Sequence, residues 1–201
     1  MRRGVGRVLN EWRGRGWKSG FHPDLKSRPT GIGLPYDGSM SLRCAVITVS
    51  DRASSGEYAD RSGPLARADL MAHGFDCADV EVVPDNMSLI TVAVQQAIAE
   101  GARVVLTTGG TGVGPRDVTP EATKAMSSRE LPGLAEAIRR KGEQATPFAV
   151  SSRGLAVVVQ YEQHSALVVN APGSTGGARD TVAVLAPVAE HIVSQLDGLG
   201  H

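Results

Sequence analysis

From Arg43 onward, short apolar runs alternate with longer stretches whose apolar residues recur at helical spacing. Residues 43–50, RCAVITVS, are apolar and β-branched and predict a strand. A helix follows at about 63–73, with Ser62 as its cap, Pro64 in its first turn and Gly74 as its stop. Residues 79–83 predict a second strand, ended by Pro84. A helix over 88–100 places Leu89, Val92, Ala93, Gln96 and Ala97 on one face and closes at Gly101. Residues 103–108, RVVLTT, predict a third strand.

Beyond a glycine-rich loop, Thr119-Pro120-Glu121 opens a helix, with Thr119 placed to cap it, and another runs at about 132–143. Residues 155–160 and 166–170 predict a strand pair joined by a turn around 161–165. Two helical segments near 175–185 and 187–197 end the chain, with Pro187 between them as a break. Strands alternating with helices, several apolar on both faces, predict an α/β fold: a mostly parallel, doubly wound sheet with helices on each side, and an antiparallel edge from the late pair.

Residues 1–39 differ in kind. They hold eight of the glycines, three prolines, both tryptophans (Trp12 and Trp17), eight Lys/Arg and three Asp/Glu. This composition reads as a basic, extended arm ahead of an α/β domain over 40–201. It is either an arm that packs on a neighbouring subunit or the product of a start upstream of Met40. The domain itself carries thirteen Lys/Arg against eighteen Asp/Glu, so no basic face invites nucleic acid. The five histidines are scattered without metal-ligand spacing. Cys44 and Cys77 each fall in or beside a strand, with no CxxC, and read as reduced core thiols. With no apolar run of membrane-spanning length and no signal peptide, these features together predict a cytoplasmic protein with no membrane partner.

In a doubly wound sheet, ligands bind beyond the carboxyl ends of the strands. The loop after the third strand runs Thr107-Thr108-Gly109-Gly110-Thr111-Gly112-Val113-Gly114-Pro115-Arg116-Asp117-Val118. Its glycines let backbone N–H groups approach an anion, Thr108 and Thr111 add hydroxyls, and Arg116 can meet a phosphate. Neither a P-loop nor a dinucleotide fingerprint fits: no Gly-Lys-Ser/Thr ends the loop, and Pro115-Arg116-Asp117 intervenes before the helix. Asn170-Ala171-Pro172-Gly173-Ser174-Thr175 is a second strand-to-helix loop suited to an anion. Two such loops suit a substrate with more than one phosphate. Ser50-Asp51-Arg52 and Pro84-Asp85-Asn86 close the first two strands. Asp51, Asp85 and Asp117 all lie on the predicted ligand side, as Mg²⁺ shared with a polyphosphate requires.

These strings carry a resemblance. SDRASSGEYAD at 50–60, PDN at 84–86, TTGGTGVGPRDVTPEAT at 107–123, SSR at 151–153 and NAPGSTGGARD at 170–180 are similar to the MogA/MoaB family of molybdenum cofactor biosynthesis proteins, related to the G domain of gephyrin. The resemblance spans about residues 42–198 and leaves the arm uncovered. It implies a three-layer α/β/α domain assembled as a homotrimer or dimer of trimers. It also implies transfer of the adenylyl group of Mg·ATP to molybdopterin. By the same likeness Asp85 and Asp117 match the family's two essential acidic positions, and Gly109–Gly114 and Asn170–Ser174 match its ligand-binding segments.

The expected roles follow. The loop holding Gly109, Gly110, Thr111, Gly112 and Gly114 cradles phosphate. Asp117 serves Mg²⁺ or the nucleotide; Asp85 holds the metal or orients the attacking group. Ser50, Asp51 and Arg52 line the nucleotide side, and Ser174 and Thr175 grip the pterin's phosphate. A pterin-binding protein of the same fold without turnover is the alternative.

Overall fold

The structure, a computed structural model, describes residues 41–198. The arm at 1–39 lies outside the described residues. The elements run β1 (Arg43–Val49), α1 (Asp51–Ser54), α2 (Ser62–Ala72), β2 (Asp76–Cys77), β3 (Glu81–Val83), α3 (Met87–Ala99), β4 (Val104–Thr108), α4 (Thr119–Met126), β5 (Ser127–Glu130), α5 (Pro132–Glu143), a 3₁₀ turn (Pro147–Ser151), β6 (Ala156–Tyr161), β7 (His164–Ala171) and α6 (Thr175–Leu196).

Seven strands form one sheet in the order β2-β1-β4-β7-β6-β5, with β3 continuing the β2 edge against β1. β1 pairs in parallel with β2, β3 and β4, and β4 in parallel with β7. The β6–β7 hairpin and the β5–β6 pair are antiparallel. The antiparallel part is therefore wider than the late strand pair alone: β6 is interior and β5 is the edge.

Side chains alternate across the buried strands, so each face gains its own core. Cys44, Val46, Leu106, Leu167 and Val169 point to one side and pack with Leu70 of α2, Ile138 of α5 and Val182 and Leu185 of α6. Ala45, Ile47, Val49, Val105 and Val168 point to the other and pack with Ile90, Val94 and Ile98 of α3 and Ala122 of α4. The result is the expected three-layer α/β/α arrangement.

The differences from the sequence reading are local. The 79–83 strand shortens to β3, Glu81–Val83, and a two-residue strand that the pattern did not predict, β2 at Asp76–Cys77, precedes it. Arg61, not Ser62, takes the cap position of α2; the Asp60 carboxylate accepts from the Gly63 N–H at 3.1 Å there. The buried stripe of α3 is Ile90, Ala93, Val94, Ala97 and Ile98, about a residue removed from the expected face. Pro187 does not break the last helix. α6 runs unbroken because buried residues on both sides of the proline, Val182 and Leu185 before it and Ala189 and Val193 after it, are held on the same core.

Cys44 and Cys77 are not separate thiols. They occupy directly paired positions of β1 and β2, with Cα atoms 4.7 Å apart, and are joined as a disulfide. Among the described residues no helix is long and apolar enough to cross a membrane.

Candidate functional site

Because β3, β1, β4 and β7 run in parallel, their carboxyl ends lie along one edge of the sheet. The four loops singled out by sequence therefore converge there. Ser50 caps α1, its Oγ accepting from the Ala53 N–H at 3.2 Å, so Asp51 sits at the helix start with its backbone N–H free to donate.

That N–H donates to Asp85 Oδ2 at 2.8 Å, and the Asp85 N–H donates to Asp51 Oδ1 at 3.0 Å. Arg116 grips the Asp51 carboxylate with both Nε (3.0 Å) and Nη2 (2.9 Å). Asp51 is thus the joint between three loops. Burial pushes the Asp85 carboxyl above the usual range; the charges of Asp51 and Asp117 push the same way, against the Asp51 N–H and Arg116, which pull it down. Arg52 turns outward over the Tyr58 ring, 5.5 Å from its centroid.

The glycine-rich loop is stitched down from below. Gly109 adopts φ +107°, and a Cβ there would strike the carbonyl oxygen of Val49. Gly110 follows at φ +62°, where a Cβ would strike Thr119 Oγ1 and stand 2.9 Å from Asp85 Oδ1. The Gly109 N–H donates to Ala171 O at 3.1 Å and Thr108 Oγ1 donates to Pro172 O at 3.0 Å, tying this loop to the 172–174 loop. Thr119 does not cap α4. Its hydroxyl is buried and donates back to Gly109 O at 2.9 Å.

Asp117 closes the outer half of the loop, its Oδ2 accepting from the Gly114 N–H at 2.8 Å and its own N–H donating to Gly114 O at 3.0 Å. A Cβ on Gly112 or Gly114 would come within 2.8 Å of that same Oδ2. These two glycines make room for the carboxylate; neither has a positive φ.

Arg153 holds the loop from outside. Its Nε donates to Gly112 O at 2.6 Å, its Nη2 to Asp117 O at 2.8 Å and its Nη1 to Glu121, while its backbone N–H donates to Thr111 O at 2.9 Å. The arginine's hydrogen bond holds the Glu121 carboxyl below the usual range. The SSR string marked this residue, but no spacing argument ties it to a loop 36 positions earlier.

Asn170, expected to meet ligand, is 2% exposed, and its amide is committed inside: Nδ2 donates to Thr107 Oγ1 and Thr123 Oγ1, both at 2.9 Å, and Oδ1 accepts from Leu155 N–H at 3.1 Å. Thr108 is likewise buried. Ser174 caps α6, accepting from the Gly177 N–H at 3.0 Å, beside the exposed Thr175. Capping uses the serine hydroxyl but leaves the first amides of α6 facing outward, as an anion site requires.

Between these loops lies a cavity of about 470 Å³. One wall is Gly110, Thr111, Gly112 and Asp117; another is Pro172, Gly173, Ser174, Gly176 and Gly177. The far wall, which sequence reasoning missed, comes from α5 and the 3₁₀ turn and includes Ile138, Arg139, Gly142, Phe148 and Ala149, with Asp180 of α6. The Asp51–Arg116–Asp85 cluster stands outside this cavity, across the glycine-rich loop. One surface is therefore a hollow lined by glycine amides, hydroxyls and apolar groups, with Asp117, Arg139 and Asp180 in its walls; the other is a charged ledge. Among the described residues there is no cluster of three or more His, Cys, Asp or Glu that would hold a metal without help from a ligand.

The profile of a family described as a probable molybdopterin binding domain matches residues 45–191. The chain is 38% identical over 167 residues to a molybdenum cofactor biosynthesis bifunctional protein of Synechococcus elongatus, covering 83% of this chain but 51% of that one, so it spans about half of that relative's length. It is 36% identical to the molybdopterin adenylyltransferase of Haemophilus influenzae, over 70% of this chain and 71% of that one. The crystal structure of a molybdopterin biosynthesis protein from Mycobacterium abscessus superimposes with a TM-score of 0.72 at 45% identity, covering 79% of this chain and 98% of that one. With the matched span covering most of its length and the same fold in these relatives, the chain belongs to the MogA/MoaB family of molybdopterin-binding-domain proteins.

Proposed function

We propose that the protein transfers the adenylyl group of ATP to the phosphate of molybdopterin, releasing pyrophosphate, as a step of molybdenum cofactor synthesis. The observation that carries this reading is the division of the site by the glycine-rich loop: Asp117 faces the cavity, while Asp85 and Asp51 stand on the ledge beyond it. Two phosphorylated substrates can meet across such a loop. Molybdopterin occupies the cavity, its phosphate at the α6 N-terminus beside Ser174 and Thr175 and at the loop Gly109–Gly114. The nucleotide lies on the side of Ser50, Asp51, Arg52 and Arg116.

A phosphate oxygen of molybdopterin attacks the α-phosphorus of ATP. One P–O bond forms as the bond to the bridging oxygen breaks, and pyrophosphate leaves with that electron pair. The protein's part is positioning and charge neutralisation, with no covalent enzyme intermediate. Asp85 Oδ1 and Asp117 Oδ1 are not engaged by the hydrogen bonds that fix their Oδ2 atoms, so both carboxylates suit Mg²⁺, which takes one or two carboxylates plus phosphate oxygens. The ion, when bound, would neutralise charge on the phosphates.

Family likeness also supports a homotrimer, or a dimer of trimers, and exposed Val113, Phe148 and Val150 offer apolar surface for contact. A chain starting at Met40 would keep every described element, since β1 begins at Arg43. The use of ATP favours a cytoplasmic setting; Cys44 and Cys77, 0% and 3% exposed, are sealed from soluble thiols there. Incubation with molybdopterin, Mg²⁺ and ATP should yield adenylylated molybdopterin and pyrophosphate in equal amounts. Pterin binding without product would leave a binder that does not turn over.

A further inference from the structure

Asp180 is the one acidic residue of the cavity with no role so far. It lies half-buried on α6 and lines the hollow. Among the described residues its carboxylate makes no hydrogen bond and no ion pair. Asp117, the other carboxylate of the cavity, is tied to the Gly114 N–H. The neighbouring cation, Arg139, is turned to backbone, donating to Gly154 O at 3.1 Å and Ser152 O at 3.5 Å.

On one side Asp180 faces the close contact between α5 and the 3₁₀ turn. Gly142 of α5 is buried, and a Cβ on it would come 2.9 Å from the Ala149 Cβ and 3.9 Å from Asp180 Oδ2. Ile138, Ala145 and Ala149 line the same cavity. A half-buried carboxylate that no protein group engages is free to accept two parallel donors from a ligand in the cavity. Asp180 also lies five residues beyond the start of α6, about 7–8 Å along its axis from the amides that suit a phosphate.

We infer that Asp180 is the specificity residue of the cavity, its carboxylate receiving the 2-amino group and N3–H of a pterin ring whose phosphate lies at the N-terminus of α6. This rests on the reading of the cavity as the molybdopterin site. A pterin presents two adjacent donors on that edge, as a guanidinium does, and a carboxylate matches them in a bidentate pair. A lumazine, with oxygen in place of the 2-amino group, presents an acceptor beside the N3–H and would set that oxygen against the carboxylate.

The test is calorimetric titration of the full chain, without ATP, with 6-hydroxymethylpterin monophosphate and 6-hydroxymethyllumazine monophosphate. The wild-type protein should prefer the pterin by about tenfold or more, the scale of a charge-assisted pair. Asp180→Asn should bind the lumazine at least as well as the pterin, because an amide donates to the 2-oxygen and accepts from N3–H. A purely structural Asp180 would weaken both ligands together and leave their ratio unchanged, which overturns the assignment. Equal wild-type affinities, or no binding of the pterin phosphate, overturn it without recourse to the variant. A retained pterin preference with no adenylyl transfer from Mg·ATP would defeat the transferase reading and leave this one standing.

Discussion

Asp51 and Asp85 exchange hydrogen bonds, each backbone N–H donating to the other's carboxylate, at 2.8 and 3.0 Å. The loops after β1 and β3 are thereby locked face to face, and Arg116 brings the glycine-rich loop to the same joint.

This joint makes Asp85 the first test. Its carboxyl is raised mainly by burial, and then by Asp51 and Asp117. A raised carboxyl contributes stability only below the ordinary carboxylate range and loses it as pH rises through the folded-state value. Asp85→Asn keeps an oxygen for the Asp51 N–H and removes the buried charge. The variant should melt no lower than the parent near neutral pH, yet lose about two to three powers of ten in adenylyl transfer. The parent's activity should fall on the acid side at a pH above the usual range of aspartate, as a pH–rate profile would show. Full activity in a folded Asp85→Asn protein would remove Asp85 from the mechanism.

The two glycines flanking Thr111 should separate folding from function. Gly110 has φ +62° and no room for a Cβ beside Thr119, so Gly110→Ala should cost about 2 kcal/mol or more in stability. Gly112 is not left-handed, and its Cβ would meet only the movable end of Asp117. Gly112→Ala should cost about 1 kcal/mol or less but displace the Asp117 carboxylate and weaken ligand binding. Denaturant melts beside titrations with molybdopterin and Mg·ATP would rank them; equal stability losses would contradict the geometry.

Arg153→Lys should loosen the glycine-rich loop. One ammonium cannot reach Gly112 O, Asp117 O and Glu121 together, as the guanidinium does. A loss of about 1–3 kcal/mol is expected, with faster proteolysis confined to 109–118 and a lower kcat. An unchanged cleavage pattern would show that the loop stands without the clamp.

Glu81, at the start of β3, gives a second pH signature. Burial, with the Glu100 charge second, lifts its pKa to about 7, and its Oε2 is buried without a hydrogen-bond partner among the described residues. The sign is that of a raised carboxyl: its contribution to stability is complete below the usual glutamate range and fades as pH climbs through about 7. The melting temperature should therefore decline from about pH 6 to pH 8, and Glu81→Gln should flatten that slope. A parallel slope in the variant would place the titrating group elsewhere.

Local chemistry wrote much of this molecule into its sequence. Gly74 and Gly101 end α2 and α3 with φ +88° and +98°, as helix-stop glycines do. Pro132 opens α5 at the expected residue, and the β6–β7 pair follows from its apolar runs. The glycine-rich loop was recognisable as a close-approach loop because only glycine fits at 109 and 110, and the Asp-bearing strand ends pointed to the edge where the loops meet. These features depend on neighbours a few residues away.

What only the tertiary structure decided depends on residues far apart in the chain. β5, Ser127–Glu130, is polar and largely exposed; it is a strand because β6 supplies its partner. The Cys44–Cys77 bond needs β2 to dock in register on β1, 33 residues away. Asn170 looked like a ligand contact, but burial against Thr107 and Thr123 turned it inward. Pro187 stays helical since packing on both sides outweighs one missing backbone hydrogen bond. The far wall of the cavity, with Asp180 and Arg139, exists only because α5 and α6 pack side by side on the sheet. Short-range sterics and capping can be read along a chain; partners chosen by burial cannot, because burial is a property of the folded whole.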